Sequence, residues 1–251
     1  MPTVEGAGVE LHVVEHGRGP AVLLVHGLAA DGEAMAPAAE ALARAGARAI
    51  AYDRRGYGSS GAPEPYAGTT VEEQAEDAAA VLRALDAVPA IVAGDGLGAL
   101  VALDLAKRHG ALIAGAALAE PPLFAFVREA TEELAAQRAE IEAAVRAGGP
   151  EAGVERWLGG RISGPALERA RVAYRAFFAD FAGLATWPVT RRELRALALP
   201  AVVVTGPSSP PHVLAAADAL ATLLPDARRT HDGDLAAAAA ALVLRRRADR
   251  A

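Results

Sequence analysis

A glycine-rich corner, "GDGLGA" at residues 94–99, is the stretch whose residue types and spacing could do chemistry. It follows an apolar run typical of a buried strand and precedes an apolar run typical of a helix. The N-terminus of a helix carries partial positive charge, so a helix beginning near Leu97 could stabilise an anion or an enolate-like oxygen. The corner itself holds Gly96, and covalent catalysis by a side chain at that position is therefore excluded.

Other kinds of site find little support in the motifs. The corner lacks the lysine of a phosphate-binding P-loop, and it is one residue short of the dinucleotide-binding pattern G-x-G-x-x-G. The chain has no cysteine, which excludes thiol catalysis, disulfides and thiolate metal sites. No cluster of His, Asp and Glu has the spacing of metal ligands. We therefore expect neither a cofactor nor a metal.

The composition is that of a globular protein acting on a small molecule. Apolar residues make up 53% of the chain and charged residues 22%, and the net charge is −6. Without a basic stripe we expect no nucleic-acid partner, and without a long apolar stretch we expect no membrane association. The first residues lack the features of a secretion signal, so we expect a cytoplasmic protein. A monomer and a homodimer both remain open.

Strand-like and helix-like segments alternate along most of the chain. This order predicts an α/β fold with an open, mostly parallel sheet and helices on both faces, with ligands beyond the carboxyl ends of the strands. The interval 121–197 is too long for a simple crossover and predicts two to four amphipathic helices. We therefore expect a core formed by residues 1–120 and 198–251, with residues 121–197 inserted as a helical lid.

Four motifs in order resemble the α/β-hydrolase fold, in its lid-bearing branch. They are "LLVHGL" (23–28), "AYDRRGYGSSG" (51–61), "VAGDGLGA" (92–99) and "LPAVVVTG" (199–206). The resemblance spans nearly the whole chain. It implies a serine or aspartate nucleophile on the corner, an acid, a histidine and an oxyanion hole of backbone N–H groups.

The corner departs from this pattern at the nucleophile. Gly94 and Gly98 match the small flanking residues, and the nucleophile position falls on Gly96. Asp95 would be the nucleophile only if the motif slid by one residue, which would place Leu97 where a small residue belongs. At the unshifted position we expect Asp95 to point away from the site, although it stays a candidate for activating a water molecule.

The acid and the histidine of the family pattern are also replaced. Ser209 stands where the acid is expected, and Glu120, at the end of the preceding strand, is the alternative acid. Asp234 stands at the histidine position when the terminal helices are aligned. His231 lies three residues earlier and reaches the site only if its loop is displaced; otherwise it is a surface residue. The vacant triad positions are thus Gly96, Ser209 and Asp234.

The resemblance leaves the oxyanion hole intact. It assigns the two N–H groups to Leu28 and Leu97, with His26 and Gly27 beside them in the pocket. Aromatic side chains of the inserted segment, Phe124 and Trp187 among them, are expected to line an apolar pocket or to pack in its core.

Two classes of function follow from these substitutions. The first is a cofactor-independent enzyme, either a lyase, cyclase or isomerase or a water-mediated hydrolase, acting on a small hydrophobic carbonyl compound. Its candidate catalytic residues are His231, Glu120, Asp95 and Asp234. The alternative is a non-catalytic pseudo-hydrolase that binds a small hydrophobic ligand. The first class requires titratable groups that converge above Gly96, whereas the second requires none.

Overall fold

The central sheet follows from short apolar runs that are buried on both faces. The computed structural model describes residues 3–248, except for the side chains of Phe124 and Glu129. The strands are β1 (Thr3–Glu5), β2 (Glu10–Gly17), β3 (Ala21–Val25), β4 (Arg48–Tyr52), β5 (Ala90–Asp95), β6 (Ile113–Ala119), β7 (Ala201–Val204) and β8 (Ala227–Thr230). Every residue of β3 and of β7 is buried, as expected for central strands covered by helices on both faces.

The eight strands form one sheet in the order β1-β2-β4-β3-β5-β6-β7-β8. The first two strands are antiparallel to their neighbours, and the other pairs are parallel. The prediction of an open, mostly parallel sheet is therefore confirmed. Because the carboxyl ends of the parallel strands meet at one edge, the residues that follow β3, β5 and β6 are brought together there.

Helices cover both faces of this sheet. They are α1 (Ala36–Arg44), α2 (Val71–Ala84), α3 (Leu97–Arg108), α4 (Arg128–Gly148), α5 (Pro150–Leu158), α6 (Gly164–Val172), α7 (Tyr174–Leu184), α8 (Arg191–Arg195), α9 (Pro211–Leu223) and α10 (Leu235–Ala248). Short 3-10 turns lie at Gly32–Met35, Gly110–Leu112 and Phe124–Phe126. Helices α1 and α10 pack on one face, and α2, α3 and α9 contribute to the core on the other. None of the helices in residues 3–248 is long and apolar enough to cross a bilayer.

The helix starts follow local rules that are visible in the sequence. Thr70 precedes α2, and its hydroxyl accepts a hydrogen bond from the Glu73 N–H at 3.1 Å. The basic residues Lys107 and Arg108 lie in the last turn of α3, where they suit the helix dipole. These capping residues fix where each helix begins and ends, and so they set the length of the loops at the carboxyl edge of the sheet.

The segment between β6 and β7 contains five helices, α4 to α8, where the sequence predicted two to four. Glycine and proline explain the larger number. Gly149, at a φ of 85°, and Pro150 break what reads as one continuous helix into α4 and α5, and Gly159 and Gly160 end α5 with positive φ angles. We refer to α4–α8 as the inserted helices.

Candidate functional site

The corner between β5 and α3 is a one-residue turn at Gly96. Its φ of 52° and ψ of −116° are a conformation that L-residues rarely adopt. Its N–H donates to the Ala119 carbonyl at 2.9 Å, which ties the turn to the end of β6. A Cβ built on Gly96 would meet only the Gly27 Cα, at 3.9 Å. The position thus faces open space, and nothing around it would exclude a side chain sterically.

The two flanking glycines are required for a different reason. A Cβ on Gly94 would overlap the Gly98 carbonyl, and a Cβ on Gly98 would overlap the Val25 carbonyl. These close approaches let α3 start directly against the ends of β3 and β5. The amide of Leu97, as the first residue of α3, has no partner within the helix. The turn therefore points the N-terminal end of α3 at the space above Gly96.

That space belongs to a cavity of about 610 Å³ between the strand ends and the inserted helices. Its floor comes from Gly27, Leu28, Asp95, Gly96, Leu97 and Glu120. Its walls come chiefly from the inserted helices and the loops between them, including Glu133, Gln137, Glu140, Ile141, Arg156, Trp157, Leu158, Arg161 and Arg169. A volume of this size suits a small-molecule ligand.

Two carboxyl groups meet on the cavity floor. Asp95 pairs in register with Ala119, so Glu120 lies one residue further along the neighbouring strand. Both side chains line the cavity, and the expectation that Asp95 points away from the site is wrong. Asp95 is the last residue of β5, at the carboxyl edge of the sheet, and its Oδ2 lies beside Gly27, which also lines the cavity.

Burial, and after it the negative charge of Glu120, raise the pKa of Asp95 to about 6, even though Arg161 and the Gly96 N–H act in the opposite direction. A carboxyl group with this pKa exchanges protons near neutral pH. Asp95 can therefore act as a general base when ionised and as a general acid when protonated.

Glu120 is held in place by hydrogen bonds rather than by a cation. The Ser209 hydroxyl donates a short hydrogen bond to Glu120 Oε1 and accepts one from the Gly206 N–H at 2.8 Å. Glu120 also has a φ of 44°, which is unusual for a residue other than glycine. Ser209, at the position where the family pattern expects the acid, thus orients the alternative acid.

The histidine and the aspartate of the last loop lie away from the cavity. His231 is exposed, and its Nδ1 is 3.1 Å from the Thr205 hydroxyl. Asp234 is exposed and caps α10, where its Oδ1 accepts from the Ala237 N–H at 2.8 Å. Neither residue lines the cavity. Among the described residues, His231 forms no hydrogen bond with Glu120 or Asp234.

His26 lies directly after β3 and is fully buried. Its Nδ1 is 3.0 Å from the Gly27 carbonyl, and its Nε2 accepts from the Arg54 N–H at 2.9 Å, which fixes the proton on Nδ1. Burial and the nearby charge of Arg54 lower the pKa of His26 well below its ordinary value. The ring supports the backbone and has neither nitrogen available for a ligand.

A buried charged network ties the inserted helices to the loop after β3. Arg54 donates to the carbonyls of His26 at 3.0 Å and Gly27 at 2.8 Å, and to Asp180 of α7 at 2.8 Å. Asp180 also accepts from the Tyr57 hydroxyl at 2.8 Å and the Gln74 amide at 2.7 Å. Leu28, whose N–H the family pattern places in the oxyanion hole, follows the two carbonyls that Arg54 holds.

The predicted pocket residues divide between the cavity and the core. Gly27 lines the cavity, whereas His26 and Trp187 do not, and the Phe124 side chain lies outside the described residues. Trp187 instead packs on α3, where its Nε1 donates to Asp104 at 3.0 Å. Tyr57 and Trp157 are aromatic residues of the cavity lining, and the ring of Trp157 contacts those of Phe177 and Phe181.

Sequence reasoning missed the polar residues of the wall. Arg161, Arg169 and Asp31 come from separate loops and helices and share no motif. The only signal for Trp157 was the rarity of tryptophan, which occurs twice in the chain. Within the described residues, no group of three or more His, Asp or Glu side chains is arranged to hold a metal ion.

Comparison with known proteins agrees with this architecture. The sequence model of the α/β hydrolase fold matches residues 20–159, and the chain belongs to this family. A solved α/β hydrolase from Sphaerobacter thermophilus superposes with a TM-score of 0.77 at 26% identity, covering 97% of this chain and 99% of that one. An esterase from Thermogutta terrifontis has a TM-score of 0.76 at 22% identity, covering 99% and 97% of the two chains.

Curated relatives match over shorter segments. The uncharacterized hydrolase YraK of Bacillus subtilis is 36% identical over 107 residues, which are 43% of this chain and 39% of that protein. An epoxide hydrolase of Caballeronia sordidicola is 40% identical over 99 residues, 39% of this chain and 30% of that protein. The matches thus span less than half the length of each relative. They show similarity to hydrolases and identify no substrate for this chain.

Proposed function

We propose that this protein is a cofactor-independent acid–base enzyme acting on a small carbonyl compound bound above Gly96. One observation carries the proposal: two carboxyl groups, Asp95 and Glu120, converge on the cavity floor, and one of them has a pKa of about 6. A binding pocket alone has no need of a carboxyl group that exchanges protons near neutral pH, whereas general acid–base catalysis does.

The proposed reaction begins with the carbonyl oxygen above Gly96, facing the amides of Leu97 and Leu28. The carboxylate of Asp95 takes a proton from the carbon next to the carbonyl, and the electron pair moves onto the carbonyl oxygen. The helix N-terminus and the two amides stabilise the resulting enolate. When the substrate has a double bond conjugated with this enolate, return of the proton from Asp95 to the far carbon of that double bond gives an isomer and restores the carboxylate.

Deuterium exchange tests this proposal without knowledge of the natural substrate. Acetophenone and a series of small ketones are incubated with the protein in D₂O, and exchange at the carbon next to the carbonyl is followed by NMR. We expect catalysed exchange that Asp95→Asn reduces by on the order of 100-fold or more, the scale of general acid–base catalysis. Asp232→Asn, in the exposed last loop, is the matched control. Exchange that is equal in the wild type and in Asp95→Asn would contradict the proposal.

The same pair could instead activate a water molecule for hydrolysis. The open space above Gly96 and the hydrolases among the relatives favour this variant of the proposal. Ionised Asp95 would take a proton from a water lodged beside Gly96 as that water attacks an ester carbonyl. Slow turnover of activated esters, lost in Asp95→Asn, is the expected result.

A non-catalytic binding protein is the second candidate function. It is favoured by the position of His231 on the surface and of Asp234 as a helix cap, which leaves the cavity without an imidazole from this loop. It predicts ligand binding without exchange or hydrolysis.

We also propose that residues 121–197 act as a lid over the cavity and that the ligand is largely hydrophobic. We further propose that the protein is a monomer or a homodimer, two states that size-exclusion chromatography with light scattering would distinguish.

A further inference from the structure

One cation of the cavity wall is not neutralised. Arg161 lies between α5 and α6, where its Nε donates to the Leu158 carbonyl at 2.9 Å and its Nη2 to the Trp157 carbonyl at 2.7 Å. Its guanidinium group is also 5.7 Å from the centre of the Trp157 ring. These contacts fix the position of the group, but carbonyls and a ring leave its positive charge in place.

The other two arginines of the wall differ in this respect. Arg156 pairs with Glu140 at 2.8 Å, and Arg169 pairs with Asp31 at 2.6 Å. Among the described residues, no carboxylate lies within 4.0 Å of a guanidinium nitrogen of Arg161. The wall thus contains a positioned positive charge that has no counter-ion in the part of the chain that the structure describes.

The donors that remain on Arg161 have a defined geometry. A guanidinium group has five N–H donors, and the two backbone carbonyls occupy the side formed by Nε and Nη2. The end formed by Nη1 and Nη2 keeps two parallel N–H groups, the arrangement that binds a carboxylate through both oxygens. Arg161 is an exposed residue that lines the cavity, and its positive charge opposes the rise in the pKa of Asp95.

We propose that the ligand is an apolar oxo acid whose carboxylate binds the free end of Arg161 while its carbonyl lies above Gly96. The inference rests on the proposed function only in taking this cavity as the ligand site. A single guanidinium group suits one negative charge. The five carboxyl groups of the cavity lining, Asp31, Asp95, Glu120, Glu133 and Glu140, disfavour a ligand with the higher charge of a phosphate. Trp157, Leu158 and Ile141 provide apolar surface for the body of the ligand.

Calorimetric titration with two matched series of probes tests the inference. The first series consists of phenyl oxo-alkanoates with two, three or four methylene groups between ketone and carboxylate, and the second of the corresponding primary amides. We expect the wild type to bind at least one acid about tenfold more tightly than its amide, the scale of a charged hydrogen bond. Arg161→Gln should abolish this preference, and Arg161→Lys should keep part of it.

Arg175→Gln is the matched control, because it removes the same charge from an inserted helix at a side chain that packs on Tyr174 outside the cavity lining. Its preference for the acid should equal that of the wild type. Equal binding of acid and amide, or an unchanged preference in Arg161→Gln, would overturn the inference and leave the proposed function standing. If neither series binds, the inference falls, and deuterium exchange with simple ketones still decides the proposed function separately.

Discussion

The buried carboxyl group of Asp95 lowers the stability of the folded protein at neutral pH. Its carboxyl group is held between Glu120 and a cavity floor that hinders ionisation, and its pKa rises to about 6. In the unfolded chain an aspartate ionises near pH 4. The folded protein therefore binds a proton more tightly than the unfolded chain, and stability falls as the pH rises from about 4 to about 6.

Replacing Asp95 by asparagine removes this penalty. Each pH unit of difference corresponds to about 1.4 kcal/mol, so the gain above pH 7 is at most ~3 kcal/mol, and solvent in the cavity reduces it to about 1–2 kcal/mol. We expect Asp95→Asn to melt at a higher temperature than the wild type at pH 7.5, with the difference vanishing near pH 4. Differential scanning calorimetry across this range measures it, and a difference independent of pH would contradict the prediction.

Gly96 allows a second prediction at the level of single residues. Gly96→Ser places a side chain in open space but at a φ of 52°, which costs about 1–2 kcal/mol and lowers the melting temperature by ~2–8 °C. We expect a folded protein that gains no serine-dependent hydrolysis of para-nitrophenyl acetate, because His231 lies outside the cavity and is bonded to Thr205.

The control for this substitution is Gly98→Ser, whose Cβ would overlap the Val25 carbonyl. That variant should be recovered in much lower yield or unfolded. A burst of nitrophenolate from Gly96→Ser, equal in amount to the enzyme, would show that a base other than His231 takes the serine proton.

At the level of elements, the link between the inserted helices and the sheet passes through a buried ion pair. Arg54 and Asp180 are 1% and 0% exposed, and their neighbours Gln74 and Tyr57 supply further hydrogen bonds. A buried pair adds little compared with apolar packing, but removing one partner leaves an uncompensated charge.

Asp180→Asn is therefore expected to lower the free energy of unfolding by about 3–5 kcal/mol in urea titrations. Glu142→Gln breaks an exposed pair with Arg138 within α4 and serves as the control. That change should cost less than about 1 kcal/mol. Equal effects of the two substitutions would mean that Arg54 keeps adequate partners without Asp180.

The strands and the turn of the site were predictable from the sequence, whereas other parts of the site were not. The strands that carry the site were predictable because runs such as 21–25 and 201–204 are apolar throughout. The sharp turn between β5 and α3 was predictable because three alternate glycines are compatible with few other backbone conformations. The wall of the cavity was not predictable. Trp157 and Trp187 lie in the same inserted segment, yet only tertiary packing decides that the first lines the cavity and the second bonds Asp104. The direction of Asp95 was predicted wrongly because it depends on the backbone at a single residue.

For the whole molecule, the packing favours unfolding in one step despite the inserted helices. Leu184 and Leu194 from this segment belong to the main core together with residues of α2 and α3. Ala29, from the loop after β3, joins the cluster formed by the inserted helices. In the described chain, the inserted helices and the core around the sheet therefore share apolar contacts and are not separate hydrophobic cores.

The fluorescence of each tryptophan can be used to follow unfolding in a different part of the structure. We expect Trp157→Phe, which leaves the signal of Trp187 beside α3, to unfold in urea with the same midpoint by fluorescence and by circular dichroism. The reverse variant, Trp187→Phe, should also give coincident midpoints, although Trp157 lies among the inserted helices. A fluorescence transition of Trp157 that precedes the loss of helix signal would indicate an inserted segment that melts independently.

The residue that caps the last helix affects how easily this chain could acquire the histidine of the family pattern. Asp234 occupies the position where the family pattern has a histidine, and its side chain accepts a hydrogen bond from the Ala237 N–H at the start of α10. Replacing Asp234 by histidine removes a helix cap that contributes about 1 kcal/mol. Serine at Gly96 carries a strain cost of its own, about 1–2 kcal/mol, so both substitutions lower the stability of the fold. A chain that acquired the serine and the histidine of the family pattern one residue at a time would therefore lose stability at each of these two steps before any gain in activity.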